Sequence, residues 1–212
     1  HKLPSQLMIG AIPDSPVNTP FKFESRVKNF LKGIGAVEVY TSSLVSENHV
    51  NPKLALMLKN PLGVDSSYLR TSLAPSLIDA AYENKHINAP FHLFEIANVY
   101  LPRRSIAKTG LPQLPDEKMI LAGIFSQYNF RDAKGIVESL LQDNKIVFSF
   151  EPLDSAFFAP GRRVEIRSGK LYLGQFGILD DEDFISPETN LFIYYEFECE
   201  TLRRVSAATI PY

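Results

Sequence analysis

The stretch from Asn60 to Pro102 constrains the fold most tightly, because one helix pattern runs directly into one long strand pattern that is apolar on both faces. Asn60-Pro61, followed by Gly63, marks a turn, since proline fixes its own φ and pushes the preceding residue out of the helical region. Thr71, Ser72 and Pro75 mark a helix start, where backbone N–H groups lack partners and proline is tolerated. Leu73, Leu77, Ile78 and Ala81 then recur at helical spacing, and Asn88-Ala89-Pro90 closes the segment. From Phe91 to Leu101 the pattern alternates, with Phe91, Leu93, Glu95, Ala97 and Val99 on one face and His92, Phe94, Ile96, Asn98 and Tyr100 on the other. Such a strand belongs inside a sheet. The carboxylate of Glu95 then needs a partner or must give up its charge. Arg70 and Glu95 read as a structural ion pair tying the start of the helix to this strand, or alternatively as two members of a ligand pocket.

The flanking segments extend the same mixture. Residues 1–20 are proline-rich and aperiodic, which reads as a linker from a preceding domain, and the opening His1-Lys2-Leu3-Pro4 reads as part of a longer polypeptide. Residues 21–212 read as one module. Phe23, Val27, Phe30 and Leu31 form the apolar face of an amphipathic helix over roughly 20–32, stopped by Gly33 and Gly35. Residues 36–45 predict a strand and 54–58 a weaker one. Residues 102–116 predict an exposed basic loop, 118–126 an apolar strand, and Asp132 a helix start ahead of Ala133, Ile136, Val137, Leu140 and Leu141. Strands follow at 145–151 and, after a Pro160-Gly161 turn, as a hairpin through Ser168-Gly169. The last strand is 191–200, with Phe192, Tyr194, Glu196 and Glu198 opposite Ile193, Tyr195, Phe197 and Cys199. Strands outnumber helices and neighbouring strands are joined by short turns, so the class is α+β with a largely antiparallel sheet.

Little in the chain points to chemistry. Neither a Walker pattern nor GxGxxG occurs, and Gly33-Ile34-Gly35 and Gly174-Gln175-Phe176-Gly177 are explained by turns and packing. His1, His49, His86 and His92 lack metal-ligand spacing, the acidic run Asp180 to Asp183 lacks the pattern of a calcium loop, and no GxSxG elbow is present. Cys199 is the single cysteine, which excludes a disulfide framework and suits a reducing cytoplasm. A formal charge of −2 gives no overall basic footprint for nucleic acid, and no apolar run approaches a membrane span. No catalytic, cofactor-binding or metal-ligating residue is therefore assigned.

The same stretch carries a resemblance. Asn60-Pro61-Leu62, Leu69-Arg70-Thr71-Ser72-Leu73 and Leu93-Phe94-Glu95-Ile96 resemble the phenylalanyl-tRNA synthetase β-subunit family in its catalytic-like module, with Ala97 where that family has glycine. Gly33 to Val39, Phe130-Arg131-Asp132-Ala133-Lys134-Gly135, and Pro160-Gly161-Arg162 ahead of Leu173-Gly174-Gln175-Phe176-Gly177 agree in the same order, with Ala159 where the family often has histidine.

The resemblance implies a class II synthetase fold, an antiparallel sheet flanked by helices, without catalysis. A catalytic class II domain carries Phe-Arg-x-Glu after this strand, its arginine holding the ATP α-phosphate. Here the chain has Tyr100-Leu101-Pro102-Arg103, and a leucine cannot neutralise a phosphate. What is implied is a scaffold packing on a catalytic α subunit in a cytoplasmic (αβ)2 enzyme that uses ATP and magnesium, with tRNA held mainly by other domains. Phe23, Val27, Phe30 and Leu31 are the residues expected at the subunit contact, unless that stripe is buried in the chain's own core. Two alternatives stay open: an autonomous small-molecule ligase using Arg70 and Glu95, and an RNA-binding module using Arg103, Arg104 and Lys108.

Overall fold

The computed structural model of the protein describes residue 10 and residues 19–103, 114–180 and 192–209. Most of the expected linker, residues 104–113 of the basic loop with Arg104 and Lys108, and acidic residues 181–183 lie outside the described residues. The chain runs through helix α1 (Thr19–Gly33) and the two-residue strands β1 (Val37–Glu38), β2 (Leu44–Val45), β3 (Leu56–Met57) and β4 (Tyr68–Leu69). Helix α2 (Ala74–Glu83), strands β5 (Phe91–Leu101) and β6 (Asp116–Ser126), and helix α3 (Phe130–Asp143) come next. Strands β7 (Ser149–Pro152), β8 (Phe158–Ser168), β9 (Leu171–Leu179) and β10 (Phe192–Glu198) lead to helix α4 (Cys199–Thr209). A seven-stranded sheet has the order β1-β5-β6-β10-β9-β8-β7, and a small sheet the order β2-β4-β3. In the large sheet β1 joins β5 in parallel, and every other pairing is antiparallel.

Each face of the large sheet is covered by helices, and the alternation along β5 sorts its side chains between them. Phe94 and Ile96 join Leu121, Phe125, Ile193, Tyr195 and Phe197 under α1 and α3. Leu93 and Val99 join Ile120, Ala122 and Ile124 under Leu77, Ile78 and Ala81 of α2. Burial of each such aliphatic side chain contributes about 1.5–3 kcal/mol, so both layers hold the sheet. Phe23, Val27 and Leu31 of α1 are buried in the first layer, and Phe30 packs partly against it. This corrects their expected placement at a subunit contact: an amphipathic stripe serves either purpose, and here it holds α1 onto its own sheet.

Four local expectations are also corrected. The strand expected over 36–45 is divided between the two sheets, because after Val39, whose N–H still donates to the Phe94 carbonyl, the chain leaves β5 and Thr41 turns in to bond Glu95. The strand expected from Lys145 begins only at Ser149: Lys145 takes φ 55°, and the Ile146 N–H donates back to the Leu141 carbonyl, ending α3. Pro160-Gly161 is not a turn between strands but an irregularity inside β8, where the register with β9 shifts between Phe158 and Arg163 and Gly161 takes φ +75°. Cys199 and Glu200 do not extend β10. They open α4, which packs on α1 and β6, and the Cys199 thiol is buried there.

Candidate functional site on the α2 face of the sheet

Residues opposite one another across paired strands share a face. The register therefore lays out one row on the α2 side: Glu165 of β8, Gln175 of β9, Glu196 of β10, Ala122 of β6 and Glu95 of β5. Three carboxylates stand on it. Each is handled differently, and that difference sets what the face can bind.

Glu95 is closed off. Arg70 Nη1 lies 3.0 Å from its Oε1, and Thr41 donates from its N–H at 3.2 Å and its hydroxyl at 2.6 Å. The guanidinium also donates through Nε to the Asn98 carbonyl at 2.9 Å and through Nη1 to the Thr41 carbonyl at 3.2 Å. With side-chain exposures of 4% for Arg70 and 2% for Glu95, neither presents an atom to a ligand. The structure thus brings together the two residues that the sequence singles out, as a buried ion pair.

Glu165 takes Arg167 Nε at 2.6 Å, and the same guanidinium lies 3.4 Å from Glu151. Glu196 has a different set of neighbours. Tyr194 donates its hydroxyl at 2.8 Å, the Gln175 amide approaches at 3.5 Å, and Ser72 at the start of α2 adds a third hydrogen bond. Burial raises the Glu196 carboxyl above its ordinary range, and those three hydrogen bonds oppose the rise. Burial and the negative charges of Glu196 and Glu165 together push the nearby Tyr172 phenol up to about 12. Sequence reasoning placed Tyr194 and Glu196 on one face of the last strand but did not single them out. The available signal was a carboxylate inside an alternating apolar strand, the same signal that marks Glu95.

The remaining candidates lie elsewhere. Arg103 pairs with Asp116 at 3.1 Å at the far end of β5 and β6. His49 bridges Ser46 at 3.0 Å and Asp79 at 2.6 Å, fastening the turn after β2 to α2. Among the described residues no group of three His, Cys, Asp or Glu side chains is placed to hold a metal ion, and no helix is long and apolar enough to cross a membrane.

Sheet order and helical layers are those of a class II aminoacyl-tRNA synthetase fold. Two solved structures of pyrrolysyl-tRNA synthetase from Desulfitobacterium hafniense share it, with TM-scores of 0.68 and 0.69. At 18% and 19% identity they cover 89% and 90% of this chain and 67% and 70% of their own. The model of the phenylalanyl tRNA synthetase beta chain CLM domain family matches residues 3–183, and the chain belongs to that family. The phenylalanine-tRNA ligase beta subunit of Geobacter metallireducens is 30% identical over 89% of this chain and 26% of its own length. That of Staphylococcus aureus strain MRSA252 is 28% identical over 99% of this chain and 28% of its own length. The chain thus spans roughly a quarter of the length of the curated relatives it matches.

Proposed function

We propose that the chain is a non-catalytic scaffold of a cytoplasmic phenylalanine-tRNA ligase, packing on the catalytic α subunit of an (αβ)2 enzyme that joins phenylalanine to its tRNA. ATP and magnesium serve that enzyme on its α subunit, and tRNA is held mainly by domains other than this one. One observation carries the reading: Arg70, paired with Glu95 of the row on the α2 face, is enclosed by Glu95, Thr41 and the Asn98 carbonyl, so its charge is neutralised internally. In the row on that face Glu165 engages Arg167, Gln175 is neutral and Glu196 adds a carboxylate, so the row itself offers a triphosphate no cation. ATP does not fit this donor set. The departure at Tyr100-Leu101-Pro102-Arg103 points the same way, since Arg103 is paired with Asp116.

The docking surface follows from what α1 leaves outside. Val37 and Tyr40 are 55% and 78% exposed, and Ile34 lies beside them at the end of α1. Leu54, Met57, Leu62 and Val64 on and around the small sheet are exposed as well, so the segment from 34 to 64 supplies the apolar contact for the α subunit. Co-purification with the α subunit tests this. Val37→Glu combined with Tyr40→Glu is expected to abolish the complex while circular dichroism and melting stay as in the wild type. A complex that survives the double substitution overturns the surface, and ATP–pyrophosphate exchange by this chain without the α subunit overturns the scaffold reading.

A further inference from the structure

Among the described residues Tyr40 is the most exposed aromatic side chain, yet it is tied down at both ends. On the backbone, the Val39 N–H before it donates to the Phe94 carbonyl at 2.8 Å, and the Thr41 N–H after it donates to Glu95 at 3.2 Å. At the tip, its hydroxyl donates to Glu38 Oε1 at 2.8 Å. A tyrosine side chain turns about only two torsions, and fixing its backbone and its hydroxyl together restrains both.

Glu38 is itself held in place. Its side chain is 6% exposed, with Lys28 Nζ 2.8 Å from Oε1 and Lys32 Nζ 2.5 Å from Oε2, both reaching across from α1. Burial alone would raise this carboxyl, but the hydrogen bonds from Lys28, Lys32 and Tyr40 outweigh it and hold the group at about 2. It therefore stays a charged acceptor at neutral pH. Lys28 also pairs with Glu24 at 2.7 Å, and its ammonium lies 5.8 Å from the centre of the Tyr40 ring. The two lysines and two glutamates of this cluster cancel one another's charge.

That arrangement decides what the ring can meet. Its single O–H donor is spent inside the chain, the charges beside it sum to zero, and Ile34 and Val37 a few residues earlier are exposed apolar side chains. The ring thus offers apolar surface and calls for no charged partner. A mobile side chain must be immobilised when a partner covers it, which costs affinity, whereas one already fixed avoids that cost.

We propose that Glu38 is a positioning residue that holds Tyr40 ready as a docking anchor, its ring presented to an apolar surface of the α subunit. The anchor rests on the α-subunit reading above, and adds to it which residue is set in advance and what chemistry covers it.

Titration against the α subunit tests it, with the wild type, Glu38→Gln, Tyr40→Phe and the double variant, each checked by circular dichroism. Tyr40→Phe keeps the ring and removes only the hydroxyl. Each single substitution is expected to weaken the complex roughly two- to tenfold, the cost of ordering one side chain, and the double variant no further than the weaker single one. Unchanged affinity in Tyr40→Phe overturns the proposal, even where Glu38→Gln does not fold. So does a double-variant loss equal to the product of the single losses, because Glu38 then acts otherwise than through the Tyr40 hydroxyl. Three-bond couplings across the Tyr40 Cα–Cβ bond, measured without the α subunit, separate the two readings. They should report one χ1 rotamer in the wild type and averaging in Glu38→Gln. Averaging already in the wild type overturns the role of Glu38 while leaving the docking surface in place. One rotamer, together with a complex that survives Val37→Glu combined with Tyr40→Glu, overturns the docking surface and the anchor with it.

Discussion

Arg70 Nη1 lies 3.0 Å from Glu95 Oε1, and Thr41 bonds to both, so one threonine, one arginine and one glutamate lock three chain segments together. The segments are the connection after β1, the end of β4 and the middle of β5. Removing one member of a buried pair leaves the other charge uncompensated. Glu95→Gln is therefore expected to lower the unfolding free energy by about 3–5 kcal/mol, read by urea denaturation. A loss below about 1 kcal/mol, of the size seen for exposed pairs, would show that the pair is not buried in solution.

His92 gives a pH dependence with a defined sign. Its ring stacks on Phe125 with centroids 4.0 Å apart, and Nε2 lies 3.0 Å from the Tyr195 hydroxyl. Burial lowers the imidazole to about 3 from its ordinary 6.5. Below pH 6.5 the unfolded chain takes up a proton that the folded ring refuses, so stability present above that pH is lost as the pH falls towards 3. The slope is about 1.4 kcal/mol per pH unit, or about 2 kcal/mol between pH 6.5 and pH 5. Glu38 and Glu200, both held at about 2, act in the same direction but only below their unfolded value of 4.5. Glu196, raised by burial, acts in the opposite direction, and its contribution cancels when wild type is compared with His92→Phe. That variant should be less stable at pH 7 and should lose less between pH 7 and pH 5. Parallel pH profiles for the two proteins would refute the assignment.

Much of this was legible in the sequence wherever a period was long enough to choose a face. Along β5 the alternation over eleven residues places Leu93 and Val99 in one layer and Phe94 and Ile96 in the other. The stripe Phe23, Val27 and Leu31 was legible as a stripe, but periodicity carries no information about which surface receives it. The division of 36–45 depends on Thr41 meeting Glu95, 54 residues away, and no local pattern encodes that contact. Helix α4 was missed because no glycine or proline separates it from β10, although Leu202 and Val205 keep helical spacing. At the candidate site, the Arg70–Glu95 pair could be read from one buried-carboxylate signal. The row through Glu196 needed the register of five strands.

Helix α3 begins one turn earlier than Asp132 suggests, because Asn129 caps it. The Asn129 side-chain oxygen accepts the Asp132 N–H at 2.8 Å, with Asn129 itself in an extended conformation. Asn129→Ala should cost about 1 kcal/mol, while Asn129→Asp or Asn129→Ser should restore most of it. Chemical denaturation of the three variants checks this, and an alanine variant as stable as the wild type would mean that another group takes over the cap.

Gly123 in the middle of β6 is a position where one added carbon should do clear harm. Its backbone conformation is ordinary for a strand, so the requirement for glycine there is one of space. A Cβ at 123 would stand 2.4 Å from the Tyr195 ring and 2.5 Å from its hydroxyl. Tyr195 is fully buried, wedged against Phe125, Phe197 and His92, so its ring has nowhere to withdraw. Gly123→Ala should therefore destabilise by at least the roughly 1–3 kcal/mol typical of an overpacked core, despite alanine's smaller conformational entropy cost. Adding Tyr195→Phe should relieve part of the clash by removing the hydroxyl at 2.5 Å, so the double variant is expected to lose less than the sum of the two single losses. Strict additivity in that cycle would show that the two residues do not touch.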